Sequence, residues 1–148
     1  MFHPDICDSF ESLAYGFARM ATGEGLASER AAAAKRLLTA CMAEPFFVSG
    51  SDAADRLLMQ AAPGRILVKT GAEGVYCAAV PELGLGVALK CDDGAGRAAE
   101  AMVAAVLAML LKRDEIVSAR LAEMARPAVP SRRGDPVGRI RPTEALEG

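Results

Sequence analysis

The chain has 148 residues, 52% of them hydrophobic, and a formal net charge of −2 at neutral pH. That is enough for one domain with a real core, and too apolar for a disordered chain. The charges are spread evenly and no basic stripe interleaved with aromatics appears, so nucleic acid is not an expected partner.

The first segment, Met1-Phe2-His3-Pro4-Asp5, has neither a basic region nor an apolar one, so no signal peptide is expected and a cytoplasmic setting is. Ser9 to about Gly23 reads as a helix, with Phe10, Leu13, Ala14, Phe17 and Met20 at helical spacing. Ser28 is the expected cap of a second, alanine-rich helix running to about Glu44, where Pro45 marks its end. Leu37, Leu38, Cys41 and Met42 form its apolar stripe. Phe46 to Gly50 reads as a loop, and Ser51 as the cap of a short helix through Gln60.

The pattern then changes to strands. Arg65–Lys69, Val75–Val80 and Leu85–Lys90 are short β-type runs joined by tight links, which reads as an antiparallel meander. Gly96 to Lys112 reads as a helix that is apolar almost all round, expected to lie between the sheet and another layer. Its apolar run from Ala101 to Leu111 is about half of the roughly 20 residues a bilayer crossing needs, so no membrane span is expected. Asp114 to Arg126 is a last amphipathic helix, stopped by Pro127. The tail from about 127 to 148 is extended, with a strand at Val137–Arg141 expected to pair with the meander unless a partner covers the sheet edge. The order gives an α+β fold, a small antiparallel sheet packed with helices, in one domain over 1–148.

Four cysteines, Cys7, Cys41, Cys77 and Cys91, show no C-x-x-C spacing, and a cytosolic setting argues against disulfides. Cys41 and Cys77 sit in apolar company as small core residues. Lys69 ends an apolar strand before the turn Thr70-Gly71-Ala72-Glu73-Gly74. Such a place can desolvate the amine, which suits a proton-transferring base. The residues alone equally allow a surface lysine beside an ordinary hairpin turn.

Lys69-Thr70-Gly71 on a strand resembles one signature of the serine β-lactamases and penicillin-binding proteins. None of the serines at 9, 12, 28, 49, 51, 118 and 131 has a lysine three residues on, so a free-standing enzyme of that kind is excluded. A closer likeness runs through Ala62–Arg65, Val68-Lys69-Thr70-Gly71-Ala72-Glu73-Gly74-Val75, Pro81–Lys90, Asp92-Asp93-Gly94, Arg97-Ala98 and Val137–Pro142. Over roughly Asp5 to Pro142 the chain resembles the C-terminal half of the bacterial L-asparaginase II family, the rhizobial-type group with a serine β-lactamase/glutaminase-like fold.

The resemblance implies hydrolysis of L-asparagine to L-aspartate and ammonia. It implies that Lys69 is catalytic, one member of a second serine–lysine pair, and that Thr70, Gly71, Ala72, Glu73 and Asp55 bind substrate. Lys90 and Asp93 would support them. Some family members hold zinc through two cysteines and a lysine; Asp5-Ile6-Cys7-Asp8 stands where one of those cysteines belongs, which makes Cys7 the expected metal ligand. One cysteine falls short of the about four ligands zinc takes. The family's Gly-Arg-Phe run is replaced by Asp52-Ala53-Ala54 before Asp55. The nucleophilic serine lies outside the matched half, so a partner chain carrying the N-terminal half, or a homo-oligomer, is expected. The competing expectation is an inactive remnant serving as a binding or oligomerisation module.

Overall fold

A computed structural model describes residues 9–146. Helix α1, Phe10–Thr22, starts where Ser9 takes an extended conformation and its hydroxyl accepts from the Ser12 N–H. It ends at Gly23, whose φ of 78° is the left-handed cap only glycine adopts freely. Helix α2, Ser28–Ala43, departs from expectation at its start: Ala27 occupies the cap with no side-chain bond, and Ser28 is the first helical residue. Its stripe is also weaker than expected. Leu38 is buried, Cys41 and Met42 are half-buried against the core, and Leu37 is 65% exposed.

The expected loop after Pro45 is instead a short helix, α3, Pro45–Ser49, because proline suits a first helical position as well as it ends the helix before it. Helix α4, Ala54–Ala61, begins two residues later than expected. Ala53, not Ser51, is its cap, and the Ser51 carbonyl accepts from Arg56.

Strands β1 (Leu67–Thr70), β2 (Val75–Val80) and β3 (Leu85–Lys90) form the antiparallel meander, in that order. Lys69 stands opposite Cys77 and Thr70 opposite Tyr76; Cys77 in turn faces Ala88, and Tyr76 faces Leu89. A 3₁₀ turn, Pro81–Leu83, links β2 to β3. Alternation along the strands puts Gly86, Ala88, Cys77 and Lys69 on one face, and Val87, Tyr76, Val68 and Thr70 on the other. Helix α1 lies on the first face, seated where Gly86 has no side chain.

Helix α5, Gly96–Leu110, lies on the second face, as its near-continuous apolar surface requires. Ala99, Val103, Ala104 and Leu107 are buried, and α6, Glu115–Met124, packs on its far side. The core joins Leu58 and Met59 of α4, Ile66 and Val68, Val80 of β2, Val103 and Leu107 of α5, and Leu121 of α6. Cys77 is buried, and burial pushes its thiol up. Among the described residues no helix is long and apolar enough to cross a membrane.

The tail corrects one expectation. Strand β5, Pro136–Arg139, pairs with β4, Ala128–Pro130, in a separate exposed hairpin and not with the meander. The Ser131 N–H donates to the Asp135 carbonyl at 2.7 Å, so the chain folds back on itself before it can reach the sheet.

Candidate active site

The link from β1 to β2 is built by two residues with positive φ, Glu73 at 55° and Gly74 at 73°. The Val75 N–H donates to the Ala72 carbonyl at 3.3 Å and the Gly71 N–H to the Val75 carbonyl at 2.8 Å. Positive φ at both central residues marks a type I′ turn, whose twist matches a hairpin. Glutamate enters that region at a cost, and residues held so are common at functional sites. The Lys90 ammonium donates to the Glu73 carbonyl at 2.9 Å and to the Cys91 carbonyl at 3.2 Å, holding the turn. Position 74 accepts only glycine: a Cβ there would meet the Gly94 carbonyl carbon at 2.9 Å.

The second loop against this turn is fixed by Asp93. Its carboxylate accepts from the Cys91 thiol at 2.9 Å, the Ala95 N–H at 2.9 Å and Arg97 at 2.8 Å. Those donors, the thiol first, hold the Asp93 carboxyl down at about 2, and the same contact pushes the Cys91 thiol up. The contacts of Lys90 and Asp93 thus shape the two loops beside Lys69.

Lys69 sits at the end of β1 with its side chain 46% exposed, so it is less desolvated than a strand-end lysine in apolar company suggests. The reason is Asp55. From the first turn of α4 its wholly buried carboxylate accepts from Lys69 Nζ at 3.2 Å and from the Thr70 N–H at 3.0 Å, both through Oδ2. The Gly71 N–H points inward to β2, so by alternation the Thr70 N–H points off the free edge of β1. Asp55 therefore closes that edge and draws the amine toward it. Its other oxygen, Oδ1, has no hydrogen-bond partner among the described residues. Lys69 Nζ also donates to the Thr70 carbonyl at 3.2 Å, and no serine hydroxyl among the described residues bonds to it.

Two further residues belong to the cluster and went unread in the sequence. Tyr76 lies beside Thr70 and Asp55, and burial, with a contribution from the Asp55 charge, pushes its phenol up to about 12. Thr70 pairs with Tyr76, one residue off the register that a two-residue turn at Glu73–Gly74 alone would set, so the turn chemistry did not signal this neighbour. Glu100, on α5, is held above its ordinary value by desolvation and by Asp55. It lines a cleft of about 220 Å³ with Ala54, Leu57, Leu58, Ala104 and Met124.

Thr70, Gly71, Ala72 and Glu73 are all exposed and form an accessible rim beside Lys69. Cys7, the expected metal ligand, lies outside the described residues. Among those residues no three His, Cys, Asp or Glu side chains converge to hold a metal ion. A family model described as L-asparaginase II matches residues 4–142. No curated protein matches the sequence.

Proposed function

The chain belongs to the L-asparaginase II family, and from that premise we propose that it serves the hydrolysis of L-asparagine to L-aspartate and ammonia, contributing Lys69 to a site whose nucleophilic serine comes from another segment or chain. The observation that carries the reading is the Lys69 amine, half exposed beside the open rim Thr70–Glu73 and tied to Asp55. In the reaction, a serine hydroxyl attacks the side-chain amide carbon and the C–N bond breaks. Ammonia leaves with the hydroxyl's proton, and water then hydrolyses the aspartyl ester. Lys69 is suited to carry that proton between the hydroxyl oxygen and the departing nitrogen. Thr70, Gly71, Ala72 and Glu73 are the proposed contacts to substrate.

The need for a second contributor is supported by the seven serines of this sequence, none followed by lysine three residues on. It is also supported by apolar residues exposed on α3 and α4: Phe47 is 81% and Leu57 48% exposed, and Arg56 lies over the Phe46 ring at 5.8 Å. Apolar patches of this kind mark contact surfaces. The proposed partner carries the serine-bearing N-terminal half, in a cytoplasmic setting. The second reading, a folded binding module without turnover, is favoured by the loss of the Gly-Arg-Phe run at Asp52–Ala54.

Ammonia release from asparagine, measured on this chain alone and with the serine-bearing half added, separates them. Turnover is expected only with the partner, and is expected to fall by at least about a hundredfold in Lys69→Ala. Turnover by the isolated chain overturns the claim that the nucleophile comes from elsewhere. Turnover indifferent to Lys69→Ala, or none with the partner, leaves the binding module.

A further inference from the structure

Asp55 combines three features that a helix-start carboxylate does not need. It is wholly buried, it spends one oxygen on both the Lys69 ammonium and the Thr70 edge N–H, and its second oxygen has no closer partner among the described residues than the neighbouring Tyr76 phenol. Burying a carboxylate is costly, and one cation at 3.2 Å with one amide offsets that cost only in part. A helix N-terminus explains a negative charge nearby, but solvent-exposed carboxylates satisfy that role as well.

We propose that Asp55 is the positioning residue for Lys69, holding its amine at the edge of β1 in the place from which it exchanges a proton. The inference rests on the reading of Lys69 as the proton-transferring group. A lysine stem has four rotatable bonds, and an amine left to them samples water for most of its time. Fixing it against a strand edge that is itself held by the same oxygen gives the nitrogen one location relative to the Thr70–Glu73 rim. Positioning of this kind is worth orders of magnitude in rate, because it converts an encounter into a standing arrangement. Asp55 touches no reacting atom in this scheme; it acts through Lys69.

The test uses the chain as it stands, labelled with ¹⁵N-lysine. The sequence has four lysines, and Lys90 is also held, by the carbonyls of Glu73 and Cys91, which makes it an internal reference. Asp55→Asn keeps the side-chain size and can still accept from the Thr70 N–H, so the fold is expected to survive. The ammonium cross-peak of Lys69 is expected to be lost and that of Lys90 to persist. In a uniformly ¹⁵N-labelled Asp55→Ala chain the Thr70 amide resonance is expected to move upfield, and added formate to return it by replacing the missing carboxylate. A Lys69 cross-peak unchanged in Asp55→Asn overturns the proposal.

The kinetic arm uses the chain with its serine-bearing half. Asp55→Asn is expected to lower kcat at least about tenfold with KM within about twofold, since the interaction lost concerns the reacting geometry and not substrate binding. Unchanged kcat where Lys69→Ala abolishes turnover overturns the positioning role. If the unaltered pair of chains shows no asparagine turnover, the reading of Lys69 as a proton carrier falls, and the cross-peak measurement alone decides whether Asp55 positions it.

Discussion

Replacing Gly86 by alanine sets a methyl group against the backbone of α1. A Cβ at that position would stand 1.9 Å from the Ala14 carbonyl oxygen and 2.5 Å from the Ala18 nitrogen. Non-bonded heavy atoms settle at about 3.5–4.0 Å. The obstructing atoms belong to the middle of a 13-residue helix and cannot rotate aside, so α1 must lift from the sheet by more than about 1 Å. Overpacking a core costs about 1–3 kcal/mol, and a rigid backbone obstacle places this case at the upper end, about 3. For a chain of this size that lowers the melting temperature by about 6–12 °C. Gly16→Ala is the matched control. It lies in the same helix with nothing within 4 Å of its would-be Cβ, and alanine there should add about 0.5–1 kcal/mol. Thermal and urea unfolding followed by far-ultraviolet circular dichroism reads both. A Gly86→Ala chain as stable as the parent, or two variants that shift the same way, refutes the close seating of α1 on β3.

Three other outcomes follow from the geometry. Glu73→Gly should raise stability by about 0.5 kcal/mol, since the left-handed conformation costs glutamate about 1–2 kcal/mol and glycine's extra unfolded-state freedom returns part of it; a lower melting temperature in that variant argues against the strain. Arg65 bonds Glu82 through two nitrogens at 2.9 and 2.6 Å and Asp114 at 2.6 Å. Arg65→Ala should therefore cost about 1 kcal/mol in dilute buffer and less at about 1 M salt, and a loss that ignores salt would contradict an ionic origin. Asp93 is depressed from 3.8 to about 2 in the folded chain, so its contribution is present above pH 3.8 and disappears as pH falls toward 2. Asp93→Asn should flatten the acid limb of the stability curve between those values, and an unchanged limb in acid titration of unfolding would show that the three donors do not stabilise the ionised form.

Local chemistry was the part of this fold that could be read in advance. The ends of α1 were legible because Ser9 and Gly23 are capping residues with one obvious use each. The meander was legible because its three apolar runs are separated by glycine-rich links. The failures have a common cause: short elements whose boundaries are set by their neighbours. Helix α3 has five residues, too few to show a 3.6-residue period, and Pro45 reads equally as a stop and as a start. Ser51 is an apt cap by type, yet the helix starts at Ala54, where Ala53 takes the extended cap conformation and the Ser51 carbonyl is bonded by Arg56. At the tail, Val137–Arg141 has strand character, but which strand it joins was decided by a turn at Ser131–Asp135 that the apolar pattern does not encode.

The candidate site divides along the same line. Lys69 through Gly74 forms a contiguous string, so its chemistry is readable residue by residue. Its partners are not: Asp55 precedes Lys69 by 14 positions, and Tyr76 and Glu100 arrive from another strand and from α5. One element of that arrangement does follow from principle. An edge strand with no neighbour leaves every second N–H without a partner, so some acceptor must meet the Thr70 N–H or it must face water. What the sequence does not contain is which acceptor. A water or a neutral side chain would satisfy the amide alone, whereas a buried carboxylate satisfies the amide and leaves a charge that only a cation can balance. Lys69 is that cation, and its amine lies against the edge because the edge was closed with an acid. The lysine's location is thus a consequence of how β1 ends, and moving the charge at position 55 should move the amine before it disturbs the strand.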